Sequence, residues 1–448
     1  MRLYIFTTVL TCGRMLTSKP TNVFIPGKNW RLSLAEIAAF FEARNIRLEV
    51  DAFSKDFFAV NIGEKEYTLT VADLGGIIKI GIINKNFETE LLGEAFCHKN
   101  KEAKKLLDKE LTQNSLISGM LEKASGKYLF GVSVYCAEES LRRFSKNIQR
   151  FVGSSIKKAL AVHGKKSEFM GFAKTREYPQ LTHVEVLKKG LVENKAEGLL
   201  CIGRKQTWLA TTVAVHNPFE FQKRDVGKPN QRKIFAIPPR LARIMINLAQ
   251  CVPGKVLLDP FCGVGTILQE ALLAKAKVVG VDLNPWCVKA AGENLEWLKH
   301  EYELPKAEYR VLEGDARNLT SKIGQVDCIA TEPDLGPALR DVPTTPYAGK
   351  IIDKLEPLFV SFLAEAFKIL RMNGRLVLVT PYFRTRSGKV VTMPIGERAL
   401  EVGFKIIQPF KEEIFVESNS AKNLTVTKSI VEVVERHITG REIHIFQK

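Results

Sequence analysis

The chain has 448 residues, 45% of them hydrophobic, and 66 Lys plus Arg against 49 Asp plus Glu give a formal net charge of +17. That length supports two or three domains with cores of their own, and no run approaches the roughly twenty apolar residues that span a bilayer, so a soluble protein is expected. The basic excess suits a polyanionic partner, with nucleic acid the first candidate; a basic but otherwise ordinary enzyme is the plainer alternative.

Eight cysteines (Cys12, Cys97, Cys136, Cys201, Cys251, Cys262, Cys287 and Cys328) are scattered without a C-x-x-C pair. This argues against a zinc site or disulfide framework and favours a reducing, cytoplasmic compartment. The seven histidines show no ligand spacing, so no metal is expected.

Residues 1–23 open with Arg2 and a short apolar run broken by threonines, and are taken as an extension outside the fold. From Asn22, "NVFIPGKNWRLSLAEIAAFFEARNIRLEV" predicts a strand, a helix capped by Ser33 with Glu36 completing a capping box, and a second strand. A further helix start is expected near Ala72. "KYLFGVSVYC" reads as a strand and "EESLRRFSKNIQRFVGSSIKKALAV" as a basic helix. "GLLCIGRKQTWLATTVAVHN" reads as a hairpin turning at "GRKQ". Residues 24–215 therefore form an α+β region of small βαβ-like units.

Basic residues cluster there: Arg142, Arg143, Lys146, Arg150, Lys157 and Lys158 on or near one helix, then Lys165, Lys166, Lys174, Arg176, Lys188 and Lys189. Such a surface can track phosphates, although a solvated helix face explains any single lysine. Residues 216–237, rich in Pro, Gly, Asn and charge, read as a linker. "PPRLARIMINLA" then predicts a helix with proline in its first turn, opening a domain over 238–448.

The sharpest signal is "GKVLLDPFCGVGTILQEALLAKAKVVGVDLN": strand, Gly-containing loop, helix, and a strand ending in an acid. Asp259 falls at the carboxyl end of the first strand, where ligands bind in open parallel sheets. Gly263 and Gly265 are expected to let the backbone approach a ligand, and Asp282 sits where a carboxylate accepts from a ribose diol. A nicotinamide fingerprint wants a third glycine where this chain has Leu268, and an acid before the loop would repel a pyrophosphate. The acid suits a cationic ligand instead. S-adenosylmethionine, with a sulfonium, an ammonium and no phosphate, is the complement. Asp315, after the third strand, is placed to accept an adenine amino group. Cys262 and Cys328 read as small packing residues rather than nucleophiles.

"DPFCGVGT", "GVDLN", "GDARNL", "IPPRLARIMINLA" and "LRMNGRLVLVTP" together resemble class I SAM-dependent methyltransferases. The order of the chain, with "LTHVEVLKKGL", "TVAVHNPFEFQKRDVGKP" and "RHITGREIHIFQK", resembles more narrowly the THUMP-domain tRNA guanosine-10 N2-methyltransferase family. The resemblance implies a Rossmann-like domain preceded by an α+β ferredoxin-like and THUMP region that grips tRNA. It implies S-adenosylmethionine held by Asp259, Phe261, Gly263, Gly265, Thr266, Asp282, Leu283, Asp315 and Ala316, and methyl transfer to the N2 of a guanine. Whether a small activating protein joins the tRNA as a partner is not legible in these motifs.

In that family the fourth strand ends in Asp or Asn, Pro, Pro and an aromatic; here "IATEPDLGPALR" stands at Ile329–Arg340. The resemblance implies catalytic roles for Glu332, Pro333 and Asp334, with the Glu332 carboxylate and the Pro333 carbonyl accepting the amine hydrogens and Asp334 standing in place of the second proline, while Leu335 supplies no stacking ring. The aromatic is expected from Tyr347, Tyr382 or Phe383. Two alternatives stay open: methylation of another RNA or DNA amine such as adenine N6, and a non-catalytic protein that binds SAM and RNA.

Overall fold

Alternating and continuous apolar strand patterns build two separate sheets, and the computed structural model describes them over residues 20–63, 71–172, 177–232, 236–433 and 437–448. The chain divides into two units at Pro218/Phe219, except that residues 31–45 and 73–76 cluster with the second. The first helix, α1 (Trp30–Glu42), thus packs in the second unit from Arg31 onward.

The first unit holds β1 (Asn22–Pro26), β2 (Leu48–Phe53), β3 (Phe58–Ile62), β4 (Ile77–Glu88), β5 (Tyr128–Cys136), β6 (Ser167–Phe169), β7 (Glu197–Ile202) and β8 (Gln206–Val215). They run in the order β2-β3-β1-β4-β8-β7-β5-β6. Its helices are α2 (Thr89–Phe96), α3 (Lys101–Thr112), α4 (Ser115–Lys123), α5 (Glu139–Arg142), α6 (Ser145–Val162) and α7 (His183–Lys188). The hairpin read from the sequence is β7 and β8, closed by Gly203 N donating to Gln206 O at 2.9 Å. The small units of this α+β region share one sheet, because β4 pairs with β8 along its length.

A buried polar network ties that junction together. The Lys79 ammonium of β4 meets Glu197 of β7, which also accepts from Ser133 of β5 at 2.7 Å and Thr212 of β8 at 2.8 Å. Every member has a partner, which is the condition under which a buried charge is tolerated.

Helix α6 buries Ile148, Val152, Ile156 and Leu160 and leaves Arg150, Lys157 and Lys158 in water, the two faces of a helical period. Arg142 does not join the exposed set freely, since it donates to Cys136 O at 2.9 Å and lies 3.3 Å from Asp56. Lys174 and Arg176 lie outside the described residues.

The second unit adds α8 (Pro218–Val226), α9 (Pro239–Leu248), β9 (Val256–Asp259), α10 (Thr266–Leu273), β10 (Lys277–Asp282), α11 (Pro285–Glu301), β11 (Tyr309–Glu313) and β12 (Val326–Thr331). There follow α12 (Thr345–Ile369), β13 (Leu370–Arg384), β14 (Val390–Thr392), α13 (Ile395–Val402), β15 (Lys405–Ile406), α14 (Ser418–Thr425), β16 (Ser429–Glu432) and β17 (Thr439–Gln447). The sheet order is β11-β10-β9-β12-β13-β17-β15. Strands β11 through β13 are parallel, and β17 runs antiparallel between β13 and β15. Helix α12 covers one face through Phe359, Phe362 and Leu363, all fully buried. Among the described residues no helix is long and apolar enough to cross a membrane.

Two local expectations change. Helix α1 begins at Trp30, so Ser33 and Glu36 lie inside it and form no capping box. Ser33 Oγ donates to Gly76 O at 2.8 Å, and the Glu36 carboxylate accepts from Gly75 N and Gly76 N at 2.7 Å each and from Asn247 at 2.8 Å. A three-residue spacing is also one face of a helix, so the sequence alone does not separate a cap from a docking face. Near Ala72 only a short turn forms, Val71–Asp73. A Cβ on Gly75 would sit 2.1 Å from Arg240 O, so glycine is what lets this segment lie against α9.

Residues 216–237, expected as a linker, contain α8. Its Arg224 and α9's Arg243 both meet the fully buried Glu270 of α10, at 2.6 and 2.8 Å. Lys228 then donates to Thr266 Oγ1 at 2.8 Å, and Asn230 N to Asn294 Oδ1 at 2.8 Å. Residues 219–232 are built into the second unit.

Glu36→Ala strands two backbone N–H groups and one amide in a buried site, at a cost of about 3 kcal/mol. Thermal unfolding of the full chain should show the loss as a lower Tm; an unchanged Tm would mean that α1 docks without this carboxylate.

Candidate active site

Strand β9 has β10 on one side and β12 on the other. Chain connections depart in opposite directions there, which opens a crevice at the carboxyl ends where ligands bind. Asp259 closes β9 and is 2% exposed. It accepts from Thr331 Oγ1 of β12 at 2.7 Å and from Phe261 N at 3.2 Å. Burial pushes its carboxyl up to about 7 against the pull of the Thr331 bond. Asp259 is therefore a brace under the loop rather than part of the cavity wall.

The two loop glycines have different reasons to be glycine. Gly263 has φ +53° with open space where a Cβ would stand, and its N–H donates to Asp282 Oδ2 at 2.8 Å. Gly265 has φ +85°, and a Cβ there would come within 3.2 Å of the Ala291 Cβ. The expected ligand approach fits Gly263; at Gly265 the close neighbour is α11. Leu268, where a nicotinamide fingerprint would have glycine, is accommodated by Gly280 across from it: a Cβ on Gly280 would lie 2.5 Å from Leu268 Cδ1.

Thr266 is buried at the start of α10 and accepts from Lys228. Asp282 faces the cavity while accepting from Gly263 N and Asn284 N. Leu283 beside it is 68% exposed. Asp315 is gripped by its neighbour Arg317, with a closest contact of 2.6 Å, and caps the turn that holds the buried Ala316. An adenine amino group at Asp315 would share that carboxylate with Arg317.

These residues fit S-adenosylmethionine: open space above Gly263, a cavity-facing Asp282, an exposed apolar Leu283 and an acid beneath the loop. Bound there, it would supply an electrophilic methyl group.

A cavity of about 820 Å³ opens beside this loop. Phe261, Asp282, Glu332, Pro333 and Asp334 line it together, whereas Asp259, Gly263, Gly265, Thr266, Leu283, Asp315 and Ala316 do not. Glu332 is the main departure from expectation. Its side chain is 7% exposed and forked onto Arg441 of β17, with Nε to Oε2 at 2.5 Å and Nη2 to Oε1 at 3.1 Å. Arg441 also lies 3.7 Å from Glu432, whose carboxyl is pushed up by burial. The carboxylate expected to meet the amine is held by a guanidinium from the reversed strand. No local spacing links positions 332 and 441, so the sequence gives no sign of it.

Pro333 is buried and Asp334 exposed, with Asp334 Oδ1 accepting from Gly336 N at 2.9 Å. Leu335 is buried at 6% exposure. Gly336 has φ +97°, and a Cβ on it would meet Ile351 Cγ2 of α12 at 2.8 Å, so the loop lies directly on that helix. Of the three aromatics considered, Tyr347 lines the cavity and is 48% exposed. Phe383 is fully buried and Tyr382 pairs with Gly440 within the sheet.

Arg441→Ala leaves Glu332 charged and unpaired and should cost about 3–5 kcal/mol, while the double change Glu332→Leu with Arg441→Met should recover most of it. Denaturant unfolding of the single and double variants checks this; equal losses would mean that the pair carries no coupling. Asp259 gives a pH effect of definite sign. Below about 7 its carboxyl is protonated in the ligand-free protein, and a cation nearby favours the carboxylate. Affinity for S-adenosylmethionine should therefore rise as pH increases through that value, and Asp259→Asn should flatten the profile. Calorimetric titration across pH measures it; a flat wild-type profile rejects the coupling.

Residues 229–387 match the protein family described as RMKL-like, methyltransferase domain. Residues 97–293 also match a family described as DNA methylase, a stretch that straddles both units and ends before β12 and its loop. The tRNA (guanine(10)-N2)-dimethyltransferase of Methanothermobacter thermautotrophicus is 33% identical over 160 residues, 35% of this chain and 43% of that protein. The Pyrococcus abyssi protein of the same name is 29% identical over 214 residues, 47% of this chain and 56% of its own length. The tRNA (guanine(6)-N2)-methyltransferase of Thermus thermophilus is 31% identical over 175 residues, 35% of this chain and 46% of that protein. Each match takes in less than two thirds of the relative. The solved structure of TrmN from Thermus thermophilus covers 95% of this chain and 99% of its own at 17% identity with a TM-score of 0.49. The second unit carries a Rossmann-like parallel sheet and matches a methyltransferase domain over residues 229–387, and over part of its length the chain is similar to proteins named tRNA guanine N2-methyltransferases.

Proposed function

We propose that this chain transfers a methyl group from S-adenosylmethionine to the exocyclic N2 amine of a guanosine in tRNA, with position 10 the first candidate. One observation carries the reading: the Glu-Pro-Asp loop after β12 lines the same cavity as Asp282 and Phe261 of the cofactor side. Amine acceptors and a methyl donor would thus share one enclosure, as in-line attack requires.

A guanine amine is a weak nucleophile because its lone pair is delocalised into the ring. Acceptors that take both amine hydrogens pull the pair out of conjugation. The Pro333 carbonyl and the Asp334 carboxylate are the groups we assign to this. Proline fixes its own φ, which holds that carbonyl in place, and the Gly336 N–H orients Asp334. Glu332, with both oxygens on Arg441, sets the position of the loop. Tyr347 replaces the missing ring of the motif as the surface on which the base stacks. The amino-terminal unit supplies tRNA contacts through the exposed lysines and arginines of α6, and presents a nucleotide flipped out of its helix.

A second reading has its own observation. Glu332 is neutralised and Leu335 is buried, so the motif itself offers neither a free acid at its first position nor a ring. That favours a protein that binds S-adenosylmethionine and RNA without catalysis.

Labelled S-adenosylmethionine with bulk tRNA, followed by nucleoside analysis, separates the two. The catalytic reading expects labelled N2-methylguanosine, lowered about a hundredfold in rate by Asp334→Ala and reduced by Tyr347→Ala. Label in N6-methyladenosine would reassign the amine. Cofactor binding with no label in any RNA would sink the catalytic reading.

A further inference from the structure

Helix α12 presents Tyr347, Lys350, Ile351, Lys354 and Leu355 to the cavity, the three- and four-residue steps of a single helix face. Ile351 and Leu355 are buried and seat the helix, while Lys350 and Lys354 are exposed. The two ammonium groups lie one turn apart, and like charges at that spacing repel. Neither forms an ion pair among the described residues. The acids that line the cavity are already engaged: Glu332 with Arg441, Asp334 with Gly336 N, and Asp282 with Gly263 N and Asn284 N.

The position of the lysines along α12 selects between two anions. Ile351 would touch a Cβ on Gly336, which puts this turn of the helix on the acceptor loop. The cofactor side meets α12 much further along, where Phe261 stacks edge-on with Phe362 at 5.4 Å between ring centroids. Eight residues separate Lys354 from Phe362, about 12 Å of helix. The lysines therefore flank the place where the amine enters rather than the place where the cofactor sits. A pair of ammonium groups beside a cationic cofactor would also repel it.

We propose that Lys350 and Lys354 grip a backbone phosphate of the RNA nucleotide whose base stacks on Tyr347. The assignment rests on the RNA-methylation reading above. The grip positions the substrate: with the base on Tyr347 and the phosphate one turn along α12, the amine is aimed at Pro333 and Asp334. Phosphate contacts of this kind fix register without reading sequence.

The test compares the wild type with Lys350→Gln, Lys354→Gln and the double variant, measuring KM and kcat for tRNA, equilibrium tRNA binding as salt is raised, and the Kd for S-adenosylmethionine. Both side chains are exposed, and circular dichroism checks that the variants fold. For the double variant we expect KM for tRNA to rise about tenfold, with the loss falling on KM more than on kcat. The slope of log binding against log salt should shrink by about 0.7, the value for one neutralised phosphate of single-stranded RNA. Lys→Arg at both positions should restore binding. Unchanged KM and slope overturn the proposal, and so does a weakened cofactor Kd with tRNA affinity intact, which would give the lysines to the cofactor's carboxylate. A wild type that methylates no RNA sinks the functional reading alone. The grip is then judged from tRNA binding, where equal affinity of wild type and double variant rejects it.

Discussion

A carboxylate and a guanidinium, both almost fully buried at the carboxyl edge of the second sheet, set the shape of its cavity. Glu332 belongs to the loop after β12, and Arg441 to β17, the strand that runs against the other five of its layer's core. Their fork fixes where the loop leaves the sheet, and with it Pro333, Asp334 and the Gly336 turn that rests on α12. Burying two charges gains little net stability over an apolar pair of the same volume. What such a pair fixes is geometry, since a guanidinium fork accepts a carboxylate in one plane only. The longer acid at position 332 reaches Arg441, and the exposed acid two residues on is left to face the cavity.

The three acids at successive strand ends, similar in the sequence, do three different jobs. Asp259 is sealed beneath the loop and ties β9 to β12 through Thr331. Asp282 stands between the loop backbone and the cavity. Asp315 is paired with Arg317 and caps a turn. Burial separates them: the same carboxyl is pushed up to about 7 at Asp259 and held below its ordinary value at Asp315 by the guanidinium beside it. One site thus contains an acid that can respond to an incoming cation and another already satisfied by the chain itself.

Behind the cavity, the segments that looked least structured turn out to be the support. Residues 218–232 bring Arg224 to the buried Glu270 of α10 and Lys228 to Thr266 at that helix's first turn. Helix α1 and the Gly75-Gly76 pair dock on α9 through Glu36 and Asn247. The helix that follows the glycine loop is therefore held at its base by chain from outside the αβ repeat.

The sequence by itself determined the parallel core of the second sheet, its glycine loop and the acids at its strand ends, because these are written in local periodicity and in spacings of a few residues. The β7–β8 hairpin and the proline-led α9 were legible for the same reason. The tertiary structure alone decided which acids face the cavity, which of the three rings lines it, and what pairs with Glu332. Those answers depend on pairs such as 332 with 441, 36 with 247 and 336 with 351, which are distant in the chain and share no periodic signal. Charge type can be read from a residue's letter, but whether that charge is free, braced or cancelled is set by the neighbours that folding brings to it.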